Sequence, residues 1–273
     1  MNDNKLDKNK ILEFFGQSVD KLNVLTPEVV TSTNDIAKEE WLNHPKHWTL
    51  VATNKQTAGR GRLGKKFYSS LDHGLYFSLV FNPNEASLEN VPLYTIMAAA
   101  TLIEVLEEYV EEPIRVKWVN DIFYKGRKVS GILSELVFPN YNQDHTGIIV
   151  GIGLNFSGRF TQANKDTQNV AGTLFGEETP SDFDQNKFLY NFIQRFYNYH
   201  ETFHEKEFMK VYEKHLLGIG KKVTYMEKST PRSGTILGID NNGHLKLRMA
   251  DGKTETLYGQ AISFNSAQFL GDE

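Results

Sequence analysis

Between Asn54 and Ser70 the chain reads NKQTAGRGRLGKKFYSS, five cations, four of them crowded among three glycines with little that is apolar between them. Gly59, Gly61 and Gly64 permit positive φ and a close approach of backbone to a ligand. Arg60, Arg62, Lys65 and Lys66 supply charge-assisted donors suited to phosphate or carboxylate. Such a loop suits closure over an anion, and its glycines and mutually repelling charges predict that it is mobile until one binds. The bland reading is a solvated basic loop. GRGRLG also satisfies G-x-G-x-x-G, but a dinucleotide fingerprint needs a strand before it and a helix opening at it. Here the glycines lead instead into KKFYSSLDHGLYFSLVF, a polar loop and then a strand. Neither H-R-D nor D-F-G occurs anywhere, so the kinase reading of a glycine loop also fails.

Four further clusters carry candidate chemistry. In VVTSTNDIAKEEWL a strand end runs into a helix, with Ser32 or Thr33 as N-cap and Asp35 in the first turn, where the dipole favours an acid. Ser32, Thr33 and Asn34 are either a plain helix cap or a set of ligand donors and acceptors at a helix N-terminus. In KWVND, Lys117 leaves an apolar strand and is followed by Trp118, Asn120 and Asp121; the alternative is a strand-to-turn junction in which Asn-Asp supplies the turn. Lys128 precedes Gly131 and Glu135 on the next strand, where the glycine permits close backbone approach. Gly151 and Gly153 interrupt a strand that favours branched residues, shortly before Asn155, and suggest a ligand lying against that backbone.

The elements that position these residues are legible from periodicity. HWTLVATN and GLYFSLVFN read as strands, the second ending at the turn signal Asn82-Pro83-Asn84. PLYTIMAAATLIEVLEEYV has apolar residues at helical spacing behind a starting proline, a core stripe. IRVKWVNDIFYKG, KVSGILSELVF and TGIIVGIGLNFSG are three β-rich runs. Gln185 to Leu217 is helical and rich in aromatics; its HETFH string fits the letters of H-E-x-x-H, but acidic ligands are not arranged around it, so no zinc site is expected there. After Gly218-Ile219-Gly220, four alternating segments joined at Asn242-Gly243 and Asp251-Gly252 predict a small β-barrel or sandwich.

Composition narrows the class. A chain of 273 residues with 40% hydrophobic content supports one large domain and a small one. No cysteine is present, which removes disulfides, thiolate metal sites and cysteine nucleophiles. The net charge of −4 argues against broad nucleic-acid binding and makes the basic loop a local device. No run is apolar enough to cross a bilayer, and MNDNKLDKNK lacks a signal-peptide core, so the expected location is the cytoplasm.

In order along the chain, TSTND, QTAGRGRLG, KWVND, KVSGILSE and VGIGLNF resemble the motif set of biotin protein ligases. The resemblance runs from Thr31 to Phe156. It departs at Val119, where the family usually has proline, and at the N-terminus, where some 25 residues are too few for the winged-helix DNA-binding domain of many bacterial relatives. The chain is thus expected to be the short type, without specific DNA binding. The resemblance implies an α+β fold, a mixed or antiparallel central sheet with packed helices in residues 1–217, and a small SH3-like β-barrel in 218–273. It implies ATP with Mg²⁺, biotin as substrate and a biotin carboxyl-carrier domain as partner, leaving monomer or homodimer open. Carried over by position, Ser32, Thr33, Asn34 and Gln56 would bind the biotin head, and Arg60 and Lys128 its carboxylate and the activated intermediate. Gly131, Gly151 and Gly153 would line the biotin pocket. Arg62, Lys117, Asn120 and Asn155 would face ATP, and Asp121 a metal ion or the incoming lysine. A lipoate or octanoate ligase or transferase of similar architecture, and a non-catalytic biotin-binding regulator, are the rival readings.

Overall fold

Strands whose apolar residues point to both faces need cover on both faces, and this arrangement organises the larger part of the protein. Its structure, a computed structural model, describes residues 5–15, 22–45, 48–69, 73–83, 90–138, 146–227, 230–259, 262 and 264–270. Ser70 and Asn84, at the ends of the expected loop and turn, lie outside the described residues.

Seven strands form one sheet: β1 (Asn23–Leu25), β2 (Thr49–Thr53), β3 (His73–Phe81), β4 (Arg115–Lys117), β5 (Asp121–Tyr124), β6 (Arg127–Val137) and β7 (Gly147–Ser157). The spatial order is β1-β2-β3-β7-β6-β5-β4. β1 and β2 are parallel and all other neighbours antiparallel, so the sheet is mixed. The helices are α1 (Lys8–Phe15), α2 (Thr33–Asn43), α3 (Val91–Leu106), α4 (Lys165–Val170), α5 (Gln185–Glu201) and α6 (Glu207–Lys214). One face of the sheet receives α2, whose Ala37 and Trp41 pack on Val51, Val80 and Ile149. The other face receives α3, against which α5 and α6 pack in turn. All five positions of β2 are buried as a result. The expected stripe on α3 is wider than a stripe: every residue except Val91 and Glu104 is buried, because sheet and helices enclose it.

The C-terminal strands β8 (Lys222–Glu227), β9 (Thr230–Ile239), β10 (Leu245–Arg248) and β11 (Thr254–Leu257) form an antiparallel sheet in the order β11-β10-β9-β8. Gly243 and Gly252 take φ of 79° and 84°, the left-handed region that the Asn-Gly and Asp-Gly turns require. Val223, Ile236, Leu245 and Leu247 of this sheet belong to the same apolar cluster as α3 and the seven-stranded sheet. Trp118 adds a polar tie, donating its indole N–H to Gly243 O at 2.9 Å. The peptide bond between Trp118 and Val119 is cis. Among the described residues no helix is long and apolar enough to cross a membrane.

Candidate active site

The N-terminus of α2 lies against the middle of the sheet, and its polar residues face inward. Ser32 is the N-cap, in extended conformation, but its side chain makes no capping bond. Gln56 does that work from another element: its Oε1 accepts from Thr33 N at 2.8 Å and lies 3.3 Å from Thr33 Oγ1. Ser78, buried on β3, places its hydroxyl 2.7 Å from Thr33 Oγ1 and 2.6 Å from Asn34 Oδ1. Asn34 donates to Glu135 Oε2 on β6 at 2.6 Å. A methyl at Gly151 would overlap the Asn34 amide, so the glycine is what lets Asn34 sit on β7.

Strand register carries this polar cluster to a charged one. Ser78 pairs with Gly151, Tyr76 with Gly153, Gly153 with Gly131, and Gly131 with Asp121. Gly151 and Gly153 are two residues apart on one face of β7, roughly 7 Å along the strand. At the Asp121 end, Oδ2 lies 2.6 Å from Lys117 Nζ and Oδ1 lies 2.6 Å from Lys128 Nζ. Lys117 and Asp121 are only 3% and 6% exposed. Burial alone would raise the Asp121 pKa, but the two ammoniums overcome it and hold the carboxyl well below the usual range. Burial, reinforced by the charge of Lys128, pulls Lys117 down, against the attraction of Asp121. Two ammoniums sharing one carboxylate leave one positive charge in surplus, and Lys128 is the more open of the two cations.

The glycine loop covers this region. Arg60 reaches Asp35 at 2.8 Å and Glu135 at 3.2 Å. Arg62 donates to Asn120 Oδ1 at 3.0 Å and to the carbonyls of Gly259 and Ile262. Leu63 takes φ of 55° and is exposed at the turn of the loop. Phe67 lies over the two facing glycines: a methyl at Gly153 would meet its ring at 2.5 Å and one at Gly131 at 3.2 Å. Its ring centroid is 5.9 Å from Lys128 Nζ. The cleft enclosed by these parts has a volume of about 720 Å³, the size of a small-molecule site. Asn155 lines it, donating to Gly172 O at 3.2 Å, while its Oδ1 is buried with no hydrogen-bond partner among the described residues.

Residues 26–155 match the Biotin/lipoate A/B protein ligase family. The biotin protein ligase of Aquifex aeolicus, solved in complex with biotin and ATP, aligns with a TM-score of 0.73 at 30% identity, over 88% of this chain and 97% of that one. The chain belongs to the biotin protein ligase family. The bifunctional ligase/repressor BirA of Bacillus subtilis is 29% identical over 252 residues, 91% of this chain and 76% of that protein. BirA of Escherichia coli is 27% identical over 259 residues, 94% of this chain and 78% of that protein.

All the residues that the motifs of a biotin protein ligase single out line this one cleft: Ser32, Thr33, Asn34, Gln56, Arg60, Arg62, Lys117, Asn120, Asp121, Lys128, Gly131, Gly151, Gly153 and Asn155. Their donors do not all point into it. Lys117 directs its ammonium to Asp121, Ser266 Oγ and Phe264 O, and Asn120 uses its amide on Arg62 and Ile132 O. Asp121 has an ammonium on each oxygen, which makes it the counter-ion of both lysines. The three glycines give room to Asn34 and Phe67 as well as to the cleft. Sequence reasoning missed Ser78, Phe67, the wall from Phe160 to Ala171 and the tail from Phe264 to Ala267. For Ser78 a signal existed, a lone hydroxyl inside an apolar strand; Phe67 and Tyr68 are likewise aromatics in an otherwise polar loop.

Proposed function

We propose that the protein activates biotin with ATP to biotinyl-5'-AMP and transfers the biotinyl group to the ε-amine of a lysine on a biotin carboxyl-carrier domain. The observation that carries this reading is the surplus positive charge of Lys117, Asp121 and Lys128, set about two strand residues from the polar cluster of Thr33, Asn34, Gln56 and Ser78. A ureido ring needs fixed donors and acceptors, and a valerate chain of the right reach would bring its carboxylate to Lys128. A dithiolane or a plain alkyl terminus offers those polar groups nothing to bond, which favours biotin over lipoate or octanoate.

In the first step a carboxylate oxygen of biotin attacks the α-phosphorus of ATP, the bond to the β-phosphate breaks, and pyrophosphate leaves. The step brings two anions together. Lys128 lowers its barrier by screening the charge that develops on the α-phosphoryl oxygens, while Asp121 keeps that ammonium fixed. The chain supplies no nucleophilic side chain, since biotin's carboxylate performs the attack. Mg²⁺ enters with ATP as part of that substrate; among the described residues no group of three His, Cys, Asp or Glu is placed to hold a metal. In the second step the carrier lysine attacks the acyl carbon, an amide forms and AMP leaves. The mixed anhydride hydrolyses in water, so the loop from Gly59 to Phe67 has a protective role over it. The buried Asn155 Oδ1 offers the nucleotide an acceptor. Incubation with biotin, ATP and a carrier domain, followed by intact-mass analysis, is expected to add one biotinyl group to one carrier lysine. An unmodified carrier, or equal loading with lipoate, would overturn the reading.

A further inference from the structure

Lys117 Nζ has three protons and three acceptors in reach: Asp121 Oδ2 at 2.6 Å, Ser266 Oγ at 2.7 Å and Phe264 O at 3.3 Å. Two of the three come from the C-terminal tail, 149 and 147 residues further along the chain and well beyond the span of the family match. Ser266 Oγ also lies 3.4 Å from Asp121 Oδ2. The tail itself is anchored. Asn265 Oδ1 accepts from Ala267 N at 3.0 Å, and the Gln268 amide makes a reciprocal pair with Thr224 on β8, at 2.8 Å and 3.0 Å.

We infer that Ser266 is a positioning residue for the adenylation site, acting through Lys117 and Asp121 on Lys128. Resting on the function proposed above, this role gives the C-terminal tail a part in the chemistry. Lys117 is saturated by protein acceptors, so its charge serves to aim Asp121, whose other oxygen fixes the Lys128 ammonium at the cleft. Removing the Ser266 hydroxyl takes away one of three constraints on Lys117 and lets the carboxylate rotate between its two cations. Binding of the biotin head, which depends on α2, Gln56 and Ser78, does not pass through this chain of contacts.

The test is a kinetic comparison of biotinyl-AMP formation by wild type, Ser266→Ala, Ser266→Thr, Lys117→Met and the Ser266→Ala/Lys117→Met pair, each checked by thermal melting. Ser266→Ala is expected to lower kcat about tenfold, the scale of one hydrogen bond to a charged group, with KM for biotin within about twofold of wild type. Ser266→Thr, which keeps the hydroxyl, is expected to restore most of that loss. In the Lys117→Met background Ser266→Ala is expected to cost much less than tenfold, because the 2.7 Å contact it chiefly acts through is gone and only the 3.4 Å contact with Asp121 remains. A wild-type kcat for Ser266→Ala, additive effects in the pair, or a Thr variant as impaired as the Ala variant would overturn the assignment. If wild type itself forms no biotinyl-AMP, the proposed function fails and not the positioning role alone.

Discussion

Asp121→Leu is expected to be among the most destabilising single changes in the cleft. At 2.6 Å and an effective dielectric near 20, each of its two ammonium contacts is worth roughly 6 kcal/mol before desolvation. Burial offsets most of that gain. The substitution, however, leaves Lys117, 3% exposed, as a buried cation with only a hydroxyl and a carbonyl to face. Removing one partner of such a pair costs about 3–5 kcal/mol, which at roughly 2–4 °C per kcal/mol for a chain of this size lowers the melting midpoint by about 6–20 °C. Lys128, whose side chain is 26% exposed, can turn toward water and adds little to the loss. The pair Lys117→Met/Asp121→Leu removes both buried charges and is expected to recover most of the stability while remaining defective in adenylation. Thermal and urea melts of wild type, the two single mutants and the pair, run beside an adenylation assay, give the comparison. An Asp121→Leu protein as stable as wild type, or a pair no more stable than Asp121→Leu, would refute the assignment of a buried, mutually dependent cation–anion cluster.

Lys128→Ala is expected to fold normally and lose about 10²–10³-fold in biotinyl-AMP formation, the range for one electrostatic stabiliser; single-turnover kinetics measure it. Gly151→Ala places a methyl on the Asn34 amide and disrupts its contacts with Ser78 and Glu135, so weaker biotin binding by calorimetry and a stability loss of about 1–3 kcal/mol are expected. Burial pulls the pKa of His200, packed against Trp48 and Phe81, from 6.5 down to about 4. Its neutral form therefore supports the fold fully above the unfolded value, and up to about 3 kcal/mol is lost as pH falls from ~6.5 toward 4. His200→Phe should flatten that part of a stability-versus-pH curve. Trypsin is expected to cut after the exposed Lys65 and Lys66 in preference to Arg62, which the tail carbonyls hold, and biotin with ATP should slow that cleavage; equal rates with and without the ligands would mean that the loop does not respond to them.

Local patterns in the sequence translated well into elements. Apolar residues at helical spacing behind Pro92 form α3, and the two glycines at positive φ sit where Asn242-Gly243 and Asp251-Gly252 announce turns. α4 escaped because KDTQNV is six residues long with one apolar side chain, too little periodicity to register. What could not be read is which partner completes each motif. The Ser-Thr-Asn string is written like a self-capped helix, yet Gln56, 23 residues on from Thr33, accepts the Thr33 N–H. The strand glycines announce a close approach without naming Asn34 and Phe67 as what approaches. A lysine emerging from an apolar strand signals a buried charge. Its counter-ion was nearby in Asp121, but its second and third acceptors lie in the tail, where no spacing rule connects them.

The most direct test of the proposed activity is ATP–pyrophosphate exchange with labelled pyrophosphate in the absence of any carrier domain. Exchange is expected to require biotin, to find no support from lipoate or octanoate, and to drop sharply in Lys128→Ala. Exchange independent of biotin, or no exchange by well-folded wild-type protein at saturating biotin and MgATP, would contradict the proposed adenylation.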